Sequence, residues 1–166
     1  MISNSNIKIE KATKENVMDI VKIHKECISK INSKTYPGSV IKEWLGQVTK
    51  QNVLDQLDTS KWLVIREKDN IVGFCQYDLG GEELYQIQIL PKYQGKGYGK
   101  YFYDFIEKDF VHNNVNKISL FATLNAVPFY ESMGFKRVKP IEFRLRNETL
   151  NMLEMSKSIA DLLSKP

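Results

Sequence analysis

Two cysteines, two histidines and five prolines are all that this 166-residue chain holds of those residue types. Cys27 and Cys75 stand far apart without metal-like spacing, which argues against a disulfide framework or a thiolate metal site. Two buried thiols in a reducing cytoplasm are expected instead, with no metal. No apolar run approaches membrane-spanning length, so no membrane partner is expected. The opening Met1 to Asn6 is polar and uncharged, unlike a signal peptide. Linkers, repeats and low-complexity tracts are missing too. Charge of one sign is not in excess: 24 Lys and Arg face 20 Asp and Glu, a net +4. That falls short of the dense basic stripe of a nucleic-acid binder, yet it suits an anionic ligand. What remains is 42% hydrophobic, enough for one compact α/β domain over residues 1–166.

The apolar pattern changes period along the chain. Ile7 and Ile9 alternate as on a short first strand. From Glu15 to about Ile31, Val17, Ile20, Val21, Cys27, Ile28 and Ile31 recur with the helical period, His24 falls among them, and Thr13 is placed to cap the helix. Tyr36-Pro37-Gly38 breaks that pattern. Val40, Ile41, Trp44 and Leu45 predict a second helix, with a further turn or two through Val53, Leu54 and Leu57. Trp62 to Arg66 and Ile71 to Tyr77 read as a hairpin turning at Lys68-Asp69-Asn70, and Gly80-Gly81 leads to a third strand, Glu83 to Leu90. A helix from Tyr98 to about Val111 places Tyr101, Phe102, Phe105, Ile106 and Phe110 on one face. Lys117 to Ala122 is the next strand, and a right-handed parallel crossover is expected between the two strands flanking that helix. A short helix, Ala126 to Met133, ends at Gly134-Phe135, with glycine at the left-handed cap position. Two closing strands are expected, one near Phe135 to Val138 or Ile141 to Arg146, the other from Leu150 to Met155.

Between the third strand and the long helix lies Gln94-Gly95-Lys96-Gly97-Tyr98-Gly99. Three glycines at alternate positions strip the loop of side chains, so its backbone N–H groups can converge on an anion. The helix N-terminus adds the positive end of a macrodipole. Lys92, Lys96 and Lys100 contribute charge, with no acidic residue from 91 to 103. The loop is built to hold a pyrophosphate. It is not a Walker loop, because Gly99-Lys100 is followed by Tyr101 and the required earlier glycine is Gln94. Nor is it the dinucleotide fingerprint, because the glycines run 95, 97, 99.

The loop resembles the Gln/Arg-x-x-Gly-x-Gly segment with which GNAT-type N-acetyltransferases, here of the small single-domain bacterial type, hold acetyl-coenzyme A. A second segment, Asn125-Ala126-Val127-Pro128-Phe129-Tyr130-Glu131-Ser132-Met133-Gly134-Phe135, is similar to the family's Asn-x-x-Ala/Pro-x-x-Phe-Tyr-x-x-x-Gly-Phe block, one residue shorter between the asparagine and the Phe-Tyr pair. The element order β-α-α-β-β-β-α-β-α-β-β matches the family over nearly the whole chain. The resemblance implies an α/β (α+β) fold with a mixed central sheet of about six to seven strands and flanking helices, an antiparallel meander followed by a parallel βαβ crossover.

It also implies roles. Gln94, Gly95, Lys96, Gly97, Tyr98, Gly99 and Lys100 would clamp the pyrophosphate. Main-chain groups of Ile87, Gln88 and Ile89 would hold the pantetheine arm and polarise the thioester carbonyl, as an N–H aimed at a developing oxyanion does. Asn125 would bond the pantetheine. Tyr130 would protonate the departing thiolate, and a tyrosine near its ordinary pKa of ~10 carries the proton that this requires. The alternative for Tyr130 is a core aromatic. Glu83, eleven residues before Gln94, has the spacing of the catalytic glutamate in the histone-acetylating branch, or else it is a solvated residue where a turn meets a strand.

The implied activity is transfer of the acetyl group of acetyl-coenzyme A, as co-substrate, to a primary amine of a small molecule by direct attack. The alternatives are a protein N-terminus or lysine as acceptor, or a coenzyme A-binding sensor without turnover. The resemblance would give acceptor selectivity to His24, Cys27, Tyr36, Trp44, Glu142, Arg144 and Arg146; the alternatives are a core histidine at His24, anchoring of the second helix by Tyr36 and Trp44, and arginines at 144 and 146 that merely face water. Gln86 and Gln88, polar on an otherwise apolar strand, either orient water or substrate or satisfy neighbouring backbone. The apolar residues from Leu150 to Leu163 permit either a homodimer through terminal strands or a short helix packed on its own domain.

Overall fold

A computed structural model describes residues 6–163; the start of the polar opening segment, Met1 to Ser5, lies outside them. β1 (Ile7–Lys11) leads through Ala12 and Thr13 into a 3₁₀ turn, Lys14–Asn16, and then α1 (Val17–Lys30). Thr13 therefore opens the 3₁₀ turn and not the α-helix, and its amide donates to Asn16 Oδ1 at 2.9 Å. α2 (Gly38–Gln47) and α3 (Lys50–Gln56) follow. The meander is β2 (Lys61–Glu67), β3 (Asn70–Asp78) and β4 (Glu83–Ile89); Lys68 takes the left-handed conformation, φ 55°, in the β2–β3 turn. Then come α4 (Tyr98–His112), β5 (Lys117–Thr123), α5 (Val127–Ser132), β6 (Lys136–Arg144), β7 (Thr149–Ser158) and α6 (Ala160–Leu163). Both stretches weighed for the penultimate strand thus fall largely in β6, which carries an extra residue at Val138. Pro140 is tolerated because β6 is the outermost strand, where a missing N–H breaks no ladder.

The seven strands form one mixed sheet in the order β1-β2-β3-β4-β5-β7-β6. Every neighbouring pair is antiparallel except β4 and β5. That parallel pair is joined at a single register position, Glu83 opposite Ser119, with the Ser119 amide bonded to the Glu82 carbonyl at 2.9 Å. Beyond it the strands diverge.

Each face of the sheet buries its own core. On one face α1, α2 and α3 contribute Ile20, Ile28, Val40 and Val53 against Val64, Phe74 and Leu150. On the other, Phe102, Ile106 and Phe110 of α4 are fully buried against Ile65, Cys75, Leu84 and Leu120. Burying a side chain of that size stabilises the fold by roughly 1.5–3 kcal/mol. The apolar stripe of α4 differs from the expected one: Tyr98 and Tyr103 belong to it, whereas Phe105 is 45% exposed. Tyr103 can be buried because its hydroxyl donates to Glu107 Oε2 at 2.5 Å. Leu150, Met155 and Ile159 are buried in this chain's own core, and Leu162 of α6 packs on it. Among the described residues, no helix is long and apolar enough to cross a membrane.

Three distant segments meet at Tyr36. Its hydroxyl donates to the Asn151 carbonyl at 2.6 Å and accepts from the Leu124 amide at 2.9 Å, tying the α1–α2 connection to β7 and to the end of β5. Tyr36→Phe strands both main-chain groups. We expect it to lower the unfolding free energy by about 1–3 kcal/mol, measured by urea denaturation; an unchanged midpoint would show that the tie carries no stability.

Candidate active site

Divergence of β4 and β5 opens a cavity of about 830 Å³ that passes from one face of the sheet to the other. Tyr130, Phe129 and Met133 wall it on the α4–α5 side, and His24, Cys27 and Trp44 on the α1–α2 side. Because only one register pair joins β4 to β5, the edge of β4 past Glu83 has no strand partner. The direction of its main-chain groups follows from the ladder with β3. The Leu90 amide donates to the Val72 carbonyl at 2.9 Å, and antiparallel pairs alternate between bonded and non-bonded. Gln88, opposite Phe74, therefore turns its N–H and C=O to β3, while Ile87 and Ile89 turn theirs to the gap. Of the three residues expected to offer main-chain groups, Gln88 differs: only its side chain is available to the cavity. The Ile89 carbonyl is already engaged, accepting from Cys27 Sγ at 3.1 Å and from Gln94 Nε2 at 2.9 Å. The Ile87 main chain hydrogen-bonds the Tyr130 hydroxyl.

The glycine loop continues the same cavity. Gly95 and Gly97 take positive φ, 74° and 93°, which glycine adopts without strain. Gly99 has a different consequence: a Cβ there would lie 3.2 Å from the Phe129 ring, so that ring would have to yield by a few tenths of an ångström. Among the described residues, no main-chain bond ties down the amides from Gly95 to Lys100; the first to be tied is that of Tyr101, bonded to Gly97 at 3.0 Å. A run of free amides at a helix N-terminus is an anion nest. Gln94, by its bond to Ile89, fastens the loop to the end of β4. Tyr98 is fastened at the other end: its buried ring sends the hydroxyl to Glu67 Oε1 at 2.6 Å, and burial followed by that carboxylate pushes its pKa up to about 12. The lysines are less free than their sequence implies. Lys92 and Lys96 both lie over the Tyr93 ring, 5.2 and 5.6 Å from its centroid, and Lys100 pairs with Asp104 at 2.7 Å.

Tyr130 is held by packing: its ring meets Phe129 and Phe135 at 5.2 and 5.7 Å. Burial raises its pKa above the ordinary phenol value, with the Ile87 hydrogen bond acting the other way. The group therefore keeps its proton. Glu83 borders the cavity at the closed end of the gap. Burial raises its carboxyl pKa, aided by the nearby Asp78 charge and opposed by a hydrogen bond from Tyr85. Asn125 lies in the turn after β5, where its Oδ1 accepts from Asn32 Nδ2 at 2.9 Å. Asn32 is a buried partner that no motif flagged.

On the α1–α2 side, His24 packs edge-on against Trp44 and Phe74, 6.2 and 5.9 Å between centroids. Cys27 has its thiol pushed up to about 12 by burial, so it is no nucleophile at neutral pH. Tyr36 is the anchor already described and does not line the cavity, and Glu142 borders a separate shallow recess. The β6–β7 connection is held on α2 by Glu43, whose carboxylate accepts the Asn147 and Glu148 amides, both at 2.9 Å. Among the described residues, no three His, Cys, Asp or Glu side chains gather as a metal site.

The sequence matches a family model described as an acetyltransferase (GNAT) domain over residues 31–159. No curated protein matches it by sequence. Solved structures match it over almost its whole length. A GCN5-related N-acetyltransferase from Rhodopseudomonas palustris superposes with TM-score 0.88 at 18% identity, covering 96% of this chain and 99% of that one. The PaiA N-acetyltransferase of Thermoplasma acidophilum, crystallised with coenzyme A, gives 0.77 at 20% identity, covering 92% and 98%. A variant of the spermidine N-acetyltransferase SpeG from Vibrio cholerae gives 0.68 at 18%, covering 97% and 98%. At these identities the likeness shows the fold.

Burial depresses the pKa of His24 from 6.5 to about 4, so folding favours its neutral form. The resulting stability is present above pH 6.5 and is lost as the pH falls towards 4, because the unfolded chain takes up the proton first. We expect His24→Phe to flatten the acid side of the stability–pH curve, by at most about 3 kcal/mol at ~1.4 kcal/mol per pH unit. Urea unfolding at pH 7, 5.5 and 4 measures it; parallel curves for both proteins would refute it.

Proposed function

The chain belongs to the GNAT acetyltransferase family, and on that premise we propose that it moves the acetyl group of acetyl-coenzyme A to a primary amine of a small molecule by direct attack. The observation that carries this reading is the continuity of the open β4–β5 gap with the free amides from Gly95 to Lys100. The residues present fit the coenzyme. The nest suits a pyrophosphate, and the unpaired edge of β4 at Ile87 and Ile89 suits an arm that carries amides of its own. When bound, the coenzyme supplies an acetyl group activated as a thioester.

The chain's own groups do the rest. Amides of the loop hold negative charge without a cation cluster, which fits the partial neutralisation of Lys100 by Asp104. Glu83 sits on the acceptor side of the sheet. An ammonium with pKa near 10 costs about 4 kcal/mol to deprotonate at pH 7. A carboxylate with a raised pKa is a stronger base than an ordinary one and takes that proton, directly or through water. The amine nitrogen then bonds to the acetyl carbon as the carbon–sulfur bond breaks. Tyr130, whose proton burial retains, gives that proton to the sulfur, and the second proton shed by the acetylated nitrogen passes through water to restore the tyrosine. A small acceptor is favoured because Glu43 ties the β6–β7 connection to α2, the helix whose Trp44 walls this side of the cavity. Spermidine, the substrate named for one structural neighbour, comes to this chain only as one candidate amine.

Thiol release from acetyl-coenzyme A across polyamines, aromatic and alkyl monoamines, amino acids, aminoglycosides and short peptides tests the reading. Turnover with one small-molecule class supports it, and turnover confined to peptides or silence with tight coenzyme binding defeats it. Tyr130→Phe keeps the ring packing; we expect kcat to fall by about 10²-fold or more while coenzyme affinity by calorimetry is unchanged. Equal turnover would remove Tyr130 from the mechanism. For Glu83, only the ionised carboxyl accepts a proton, so kcat/KM should fall as pH drops through a value above the ordinary 4.5. Glu83→Gln should abolish that acid limb, and a pH profile unchanged in shape would assign the base elsewhere.

A further inference from the structure

Four glutamines run in single file from the surface to the cavity. Gln56 Nε2 donates to the Asn52 main-chain carbonyl at 3.1 Å. A carbonyl only accepts, so Gln56 must turn its oxygen the other way. Gln76, only 6% exposed, donates from Nε2 to that oxygen at 3.0 Å and to Ser60 Oγ at 3.0 Å. The Ser60 hydroxyl is itself spent on the Gln56 carbonyl, at 3.4 Å, which leaves its oxygen to accept. Gln76 Oε1 then accepts from Gln86 Nε2 at 3.0 Å, and Gln86 Oε1 accepts from Gln88 Nε2 at 3.3 Å. The polarity is imposed from the α3 end. Reversing the file would set two acceptors against each other at Asn52 and forfeit that exposed hydrogen bond, worth about 0.5–1.5 kcal/mol. The last oxygen, Gln88 Oε1, meets no donor among the described residues, and Gln88 lines the cavity.

Gln88 stands opposite Phe74, Gln86 opposite Gln76, and Glu83 opposite Asp78, so all three project on the α1–α2 side of the sheet. The wall there is largely apolar or aromatic, with Trp44, Phe143, Leu150, Met152 and a His24 kept neutral by burial; Asn32 is tied to Asn125, and Gln86 is engaged within the file. Among the described residues the only ionised side chains on the cavity wall are Glu83 and Lys100. A polyamine would bury further ammonium groups with no carboxylate to meet them, at a high desolvation cost.

We propose that Gln88 recognises the acceptor: its Oε1, pointed into the cavity by the one-way file of amides, takes a hydrogen bond from the nitrogen of a monoamine with an apolar or aromatic body. Gln56, Gln76 and Gln86 act as positioning residues. This rests on the acetyltransferase reading above.

Steady-state kinetics with acetyl-coenzyme A and phenethylamine, n-butylamine or spermidine test it on the full chain. In Gln88→Leu the KM for phenethylamine should rise about 10- to 100-fold, as for loss of one hydrogen bond to a charged group. Gln88→Glu keeps an acceptor oxygen but cannot donate to Gln86, and should still bind the amine better than Gln88→Leu, whereas Gln88→Lys puts a donor there and should lose at least as much as Gln88→Leu. The KM for acetyl-coenzyme A should not move in any of them. Gln76→Leu, remote from the cavity, should raise only the amine KM, by several-fold. An unmoved amine KM in Gln88→Leu, or equal loss with Glu and Lys, overturns the assignment. A higher kcat/KM for spermidine than for phenethylamine overturns the apolar body. Should the wild type acetylate none of them and no other small amine of the wider panel, the acetyltransferase reading fails separately, and binding decides this one. Phenethylammonium chloride, against equal sodium chloride, then shifts the Gln88 side-chain amide NMR signal, identified by its loss in Gln88→Leu; a signal that stays put overturns the proposal.

Discussion

The single register pair between β4 and β5 governs the rest of the molecule. A sheet that stayed zipped there would satisfy its own backbone and leave nothing for a ligand. Instead the strands part, and the gap must be walled by something other than a strand. Tyr130 fills part of it from α5, with its hydroxyl on Ile87, and Cys27 fills part from α1, with its thiol on Ile89. Unpaired backbone inside a protein is costly unless it is met by side chains or ligand. These side-chain bonds meet part of the need; the free amides of the glycine loop are the remainder, and they sit at the mouth of the same gap.

A second irregularity decides what faces the α1–α2 side. Tyr77 pairs with Leu84 and Gln76 with Gln86, so Tyr85 is an extra residue in β4. Strict alternation would put Glu83 on the side opposite Gln86 and Gln88. The bulge shifts the count by one and brings all three to one face. One inserted residue therefore gathers the proposed base and the proposed recognition group on the same wall. The proposed proton donor, Tyr130, stays on the other side, where burial among Phe129 and Phe135 keeps it protonated. The two carry opposite demands, one to give a proton and one to take it, and the sheet lies between them.

Much of this was legible in the residues. The order of strands and helices follows from apolar periodicity, and the mixed sheet with its parallel crossover follows from that order. The Gln94 to Gly99 loop announces itself because glycine at positive φ and bare amides are local properties of a short segment. The Thr13 cap, the continuous β6 and the exposure of Phe105 differ from expectation for local reasons too: a 3₁₀ turn interposed before α1, an edge strand that tolerates Pro140, and a tyrosine whose hydroxyl found a carboxylate.

The chain's sequence by itself determined the layers, the glycine loop and the Phe129-Tyr130 pair, because each depends on residues close together in sequence. Tertiary structure alone decided that Gln88 offers its side chain and not its main chain, that Asn32 meets Asn125, that Tyr36 anchors the fold, and that four glutamines line up with one polarity. Each of these depends on register across strands or on partners far away in the chain. No periodicity records a bulge, and no composition records which end of an amide faces inward; both are settled only when hydrogen bonds between distant segments must all be satisfied at once.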